Sequence, residues 1–205
     1  MNKFAVAFFA LAFVTTSVVS QASNPLPAQT RCTLTGATSP NVRGIQLGMS
    51  AQQLLAMFPG IPKTKEMKES IDKANSATSS EVTYFGFNPA TEGDAKLFAG
   101  VESVAAGIYK ARLVDFSVQY SGATWKTVDT WIAKLSESFK LPGAASWVTG
   151  PNEAPNKVLV CNGILIEAAT QDGSASIRVR NTEYVKDIDE RAKAADEKKR
   201  QDIKP

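Results

Sequence analysis

The chain has 205 residues, with 23 Lys and Arg against 20 Asp and Glu, two cysteines and no histidine. The missing histidine excludes Ser-His-Asp and Cys-His nucleophile activation, histidine general bases and histidine metal ligands. Two cysteines are too few for a structural zinc site, and a net charge of +3 in mixed-sign sequence lacks the concentrated basic face of a nucleic-acid binder.

Residues 1–22 read as a signal peptide. Lys3 gives a positive start, residues 4–14 an apolar run, and Ser20-Gln21-Ala22 a small-x-small cleavage site. That run is too short to span a bilayer as a stable helix, and no later one approaches the length. The expectation is therefore an exported bacterial protein, periplasmic or extracellular, with no transmembrane segment after cleavage. Residues 23–41 carry Pro, Ser, Thr and Gly with little apolar periodicity, which predicts a flexible N-terminal arm holding Cys32. Residues 42–182 are long enough for one α+β domain with its own core.

The first strong element lies within residues 43–60. Ser50 fits a helix N-cap and Gln53 the third helical position, a capping box. Pro59 and Gly60 stop the helix. Residues 61–80 are polar and lysine-rich. Met67, Ile71 and Ala74 make one thin helical stripe there, compatible with a second helix or with a loop.

Residues 81–88 read as a strand stopped by Pro89, residues 91–94 as a turn, and a second strand falls within 97–109. In the next strand Val114, Phe116, Val118 and Tyr120 alternate with Asp115, Ser117 and Gln119, which predicts one buried and one wet face. Residues 124–140 form the second strong helix. Val128, Trp131, Ile132, Leu135 and Phe139 recur at helical spacing, and Thr124 or Thr127 is the cap.

Asn162-Gly163 and Asp172-Gly173 are two-residue hairpin turns. Read independently, they pair Leu159 with Ile166, Ile166 with Val179 and Ala168 with Ile177. One face of this meander is apolar; the other carries a Glu167–Arg178 pair. Residues 183–205 form a charged C-terminal helix or tail. Asp187–Arg191, Asp189–Lys193 and Asp196–Arg200 stand acid-first at i,i+4, and Tyr184, Ile188, Ala192 and Ala195 form a thin stripe. The fold class expected is α+β: two helix-plus-antiparallel-strands units forming one layer of helices on an antiparallel sheet, plus the charged helix.

In an oxidising compartment Cys32 and Cys161 are expected to form a disulfide; two unrelated thiols or a catalytic cysteine are the other readings. Asp94, Asp115 and Glu167 are the acids a glycosidase would need in a facing pair, yet no spacing forces any two together. Each reads more simply as a solubilising or salt-bridging group. Trp131 sits on an apolar helix face, while Trp125 and Trp147 flank that helix and can form a stacking platform. The outer sheet face (Asp115, Ser117, Gln119, Glu167, Arg178, Arg180) is either solvated or a binding surface. The binding residues expected are Trp147, Arg178 and Arg180; no catalytic or metal-ligating residue is assigned.

Gly48-Met49-Ser50, Gln53-Leu54 and Gly60-Ile61-Pro62 resemble the G-M-T/S…Q-V…G-x-P signature of outer-membrane assembly lipoproteins of the BamE/SmpA type. That superfamily is similar in turn to β-lactamase inhibitory protein. Trp125, Leu141-Pro142, Trp147 and the ending Ile203-Lys204-Pro205 look like exported bacterial proteins of unknown function. The resemblance implies helices on an antiparallel sheet in tandem units, an envelope location and protein binding instead of catalysis. No lipobox cysteine follows the apolar run, so lipid anchoring is not carried over, and no partner-binding residue has a counterpart. The function expected is a non-enzymatic protein-binding or envelope-assembly module whose partner is another envelope protein, with no cofactor. The alternatives are a secreted enzyme inhibitor and a carboxylate-based hydrolase of envelope polymers.

Overall fold

A computed structural model describes residues 32–122, 124–150 and 155–202 of the chain. The signal-peptide reading of residues 1–22 and the arm up to residue 31 lie outside the described residues, as do the side chains of the stripe positions 188, 192 and 195.

Alternating apolar and polar residues build a seven-stranded antiparallel sheet. Its strands are β1 (Thr83–Phe87), β2 (Val101–Tyr109), β3 (Arg112–Tyr120), β4 (Val148–Thr149), β5 (Asn156–Val160), β6 (Ile164–Gln171) and β7 (Ser174–Asn181). The spatial order is β1-β2-β3-β7-β6-β5-β4, so two meanders meet where β3 pairs with β7. The meander register is the one the two turns predict: Leu159 faces Ile166, Ile166 faces Val179, and Ala168 faces Ile177. Asp172 and Gly173 both take positive φ, whereas at the other turn only Gly163 does.

The helices are α1 (Ala51–Ala56), α2 (Lys65–Ala74), α3 (Pro89–Glu92), α4 (Val128–Phe139) and α5 (Thr182–Asp202). The expected layer of helices is corrected here: the sheet dominates. Seven strands about 4.8 Å apart are nearly 30 Å wide, while six-residue α1 is only about 9 Å long and α4 about 18 Å. Elements of that size cannot tile such a sheet. The Phe58-Pro59-Gly60 stop is what keeps α1 short. Aromatic and loop side chains fill much of the inner face instead: Phe58 stacks on Phe87 and Phe98, with centroids 4.1 and 5.0 Å apart.

The core lies on this inner face. Val104, Phe116, Val118, Ile166, Ile177 and Val179 of the sheet meet Leu54 and Phe58 around α1 and Trp131, Ile132 and Leu135 of α4, all buried. The Trp131 indole N–H donates to the Ser176 carbonyl at 2.7 Å, which fastens α4 to β7.

Residues 43–60 are fastened to the sheet through hydrogen bonds to β3. β7 pairs with β3 only from Asp115 to Tyr120. Beyond that, the Gly48 N–H donates to the Leu113 carbonyl, the Leu113 N–H to Met49, and the Ala51 N–H to Ala111. Gly48 takes φ +82°, a conformation that favours glycine. The capping box then starts α1: the Gln53 N–H donates to Ser50 Oγ at 3.1 Å, and the Ser50 N–H to Gln53 Oε1 at 2.9 Å. Residues 61–80 resolve into α2, capped by Thr64 Oγ1. Cys32 and Cys161 form a disulfide, with Cα atoms 4.7 Å apart across 129 positions of sequence.

Candidate functional site

The sheet face turned away from the core is paved with small and polar residues. Gly86 and Ala105 are exposed, and Ser103, Ser117, Ala169 and Ser176 are half-buried. The paired register sets Gly86, Ala105, Ser117, Arg178, Glu167 and Val158 in one row across six strands. At its two ends stand exposed apolar groups: Tyr84 (61% exposed) on β1, Val148 on β4 and Val160 (64%) on β5.

Asp115 organises the centre of this face. β2 and β3 slip register between the Gly107–Asp115 and Ile108–Leu113 pairs, which leaves Val114 as an extra, bulged residue. Val114 therefore joins Tyr109 and Tyr184 in a small cluster apart from the main core. This differs from strict alternation, which would have buried Val114 alongside Phe116. Asp115 itself is 2% exposed, not a solvated outer-face acid.

Burying a carboxylate is costly unless it is paired, and here it is. Arg178 grips it from both sides, Nε to Oδ1 at 2.9 Å and Nη2 to Oδ2 at 2.6 Å. Arg180 Nε donates at 3.3 Å and the Tyr184 hydroxyl at 3.4 Å. Asp115 raises the Arg178 pKa by this bonding. Burial, then the neighbouring Asp115 carboxylate and Tyr84, push the Tyr184 phenol well above the ordinary tyrosine value.

Arg178 and Arg180 thus come together on Asp115, but Trp147 does not join them. It is buried in the core, with its indole N–H donating to the Pro142 carbonyl at 3.0 Å. Trp125 is half-buried and packs against Trp131, 4.3 Å between centroids, and against the edge of Tyr120. No tryptophan platform forms on the open face. The residue that sequence reasoning missed is Tyr84: the strand pattern placed it, but an exposed aromatic looks the same as a buried one in a short strand.

The three acids have separate structural duties. Asp94 Oδ1 accepts from the Lys96 and Leu97 N–H groups in the loop before β2. Glu167 Oε1 accepts from Asn156 Nδ2 at 2.9 Å, while Asp115 is held by two arginines. Among the described residues no three His, Cys, Asp or Glu side chains converge as a metal site would require.

Two hollows open on this face. One, about 200 Å³, lies between Tyr84, Gly107, Asp115, Ser117 and Arg178. The other, about 320 Å³, is bounded by Gln119, Ala169, Gln171, Ser174 and Ser176. Both exist because the floor is glycine, alanine and serine. At one end the face is bordered by the start of α5, where Asp187 accepts from the Tyr109 hydroxyl, Lys110 Nζ and Arg191 Nε. Those three donors, Tyr109 first, hold the Asp187 carboxyl well below the usual carboxylate range.

The class these features define is a sheet-dominated antiparallel protein with one face packed and one face open. No protein-family model, curated protein or solved structure matches the chain. The likeness of residues 48–62 to the assembly-lipoprotein signature therefore stands on those residues alone.

Proposed function

We propose that this chain is an exported, non-enzymatic protein-binding module of the envelope-assembly kind, taking another envelope protein on the open face of its sheet. The observation that carries the reading is the face itself. It has a small-residue floor with two hollows, a central Arg178–Asp115–Arg180 group, and exposed Tyr84, Val148 and Val160 at its ends. Tyr and Arg are the residue types that most often dominate binding energy when a partner covers them. Arg178 and Arg180, about a third exposed, keep part of each guanidinium available beyond Asp115.

Export is supported by the signal-like residues 1–22 and by the disulfide, which persists in oxidising compartments. No described helix is long and apolar enough to cross a membrane. The hydrolase alternative is not favoured, because Asp94, Asp115 and Glu167 are each engaged in a structural hydrogen bond or ion pair.

Site-specific photo-crosslinking in cells producing the full chain tests the reading. Crosslinkers at Ala105, Ser117 and Ala169 should trap the same exported protein, and one at Glu137, on the solvent-facing side of α4, should not. Adducts from every position alike, or from Glu137 alone, would count against the open face.

A further inference from the structure

A second surface, independent of the open face, has a different chemistry. The loop between α1 and α2 folds back so that Leu55, Phe58, Ile61, Met67 and Ile71 line a groove of about 610 Å³. This lies within the range of small-molecule sites, whose walls are mostly apolar. Leu55, Ile61, Met67 and Ile71 are only half-buried, so the groove is open to a ligand.

Cations stand only at its rim. Lys63, Lys65 and Lys68 line the groove, whereas the acids of α2, Glu66, Glu69 and Asp72, do not. Lys65 and Lys68 approach Glu69 and Asp72 at 3.9 and 2.7 Å, but these pairs are more than three-fifths exposed and weak. Lys63 has no ion-pair partner among the described residues. The floor offers little for a hydrogen-bonding ligand, since the Thr64 hydroxyl already caps α2. An extended peptide, with a polar group at every residue, would leave its backbone unsatisfied there. An alkyl chain needs no such partner, and Met67 can adapt to it.

We infer that the α1–α2 groove binds a single-chain anionic amphiphile, a fatty carboxylate of about ten carbons or more, with its chain on Leu55, Ile61, Met67 and Ile71 and its head group among Lys63, Lys65 and Lys68. The carboxylate meets the lysines at the mouth while the chain removes apolar surface from water.

The test titrates the full disulfide-bonded chain with decanoate below its micelle concentration, read by calorimetry and by the methyl resonances of Met67, Ile61 and Ile71. Decanoate should bind at one site and shift those methyls but not those of Val148 and Val160. The triple variant K63Q/K65Q/K68Q, whose substitutions are all exposed, should keep the parent's thermal midpoint and bind about tenfold more weakly. Met67→Glu on the floor should abolish binding. Decyl maltoside, which has the chain without the charge, should bind more weakly than decanoate. Equal binding of the two detergents would overturn the lysine assignment. Failure of decanoate to bind, or methyl shifts elsewhere, would overturn the site. A glutamate-flanked leucine peptide that shifts the same methyls where decanoate does not would reassign the groove to a protein partner.

Discussion

At the scale of single residues, Asp115 shows how a buried charge becomes a structural demand. Its removal and the removal of Arg178 are not equivalent. Asp115→Asn leaves two arginines that are about a third exposed and can turn to water, so it should cost about 1–2 kcal/mol. Arg178→Met leaves a 2%-exposed carboxylate with only the 3.3 Å Arg180 bond and the 3.4 Å Tyr184 bond, and should cost about 3 kcal/mol or more. Urea unfolding of the two variants decides the order; the reverse order would mean that the carboxylate is hydrated. Tyr184 adds a pH signature. Its folded-state pKa is raised, so its contribution is fully present below the unfolded value of about 10 and is lost as pH rises beyond it. Stability should therefore fall on the alkaline side of about pH 10, and Tyr184→Phe should flatten that limb. The sequence showed Asp115 on a strand opposite an apolar set, but nothing in its spacing revealed the bulge at Val114 or the arginines that close over it.

Among the elements, the legible features were those set by neighbouring residues. The Ser50–Gln53 box, the Thr127 cap and the register across Asp172-Gly173 depend on local chemistry, and each forms as its residues dictate. Whether residues 61–80 were helix or loop was not legible, because Met67, Ile71 and Ala74 gain their stability only from contacts that α2 makes after folding. Gly60 is the subtler case. As a sequence it reads as a helix stop, but its structural constraint is a close approach of two backbones. A Cβ there would lie 2.6 Å from the Thr91 carbonyl oxygen and 2.7 Å from Glu92 Cα, while the Gly60 N–H donates to the Glu92 carbonyl at 2.9 Å. Gly60→Ala should cost about 1–3 kcal/mol, because main chain and not a flexible side chain must move. Gly143→Ala, beyond the left-handed Lys140 that ends α4, adds a Cβ that meets nothing within 4 Å and should be nearly neutral. Thermal unfolding of the pair separates close packing from a general need for glycine after a helix.

Over the whole molecule, long-range closure matters most where the chain is least helical. The Cys32–Cys161 disulfide ties residues ahead of α1 to the β5–β6 turn across 129 positions, and in the chain-entropy model such a loop is worth about 5 kcal/mol. Among the described residues, this region is held by Cys32 and Leu34 packing against the core and by a few hydrogen bonds: Gln46 Nε2 donates to the Ala37 and Ser39 carbonyls, and the Leu47 N–H donates to Ser39 Oγ. This packing survives without the crosslink, whose effect should therefore fall mainly on the unfolded chain. A Cys32→Ser/Cys161→Ser variant should unfold at lower urea with a steeper dependence on denaturant, because the uncrosslinked unfolded chain exposes more surface. Its tryptophan near-ultraviolet bands should be unchanged, since Trp131 and Trp147 take their environments from α4, the Ser176 carbonyl and the Pro142 carbonyl. If instead the tryptophan signature collapsed on reduction while the denaturant slope stayed constant, the disulfide would be acting on the folded core, and residues 32–41 would be part of what holds α4 against the sheet.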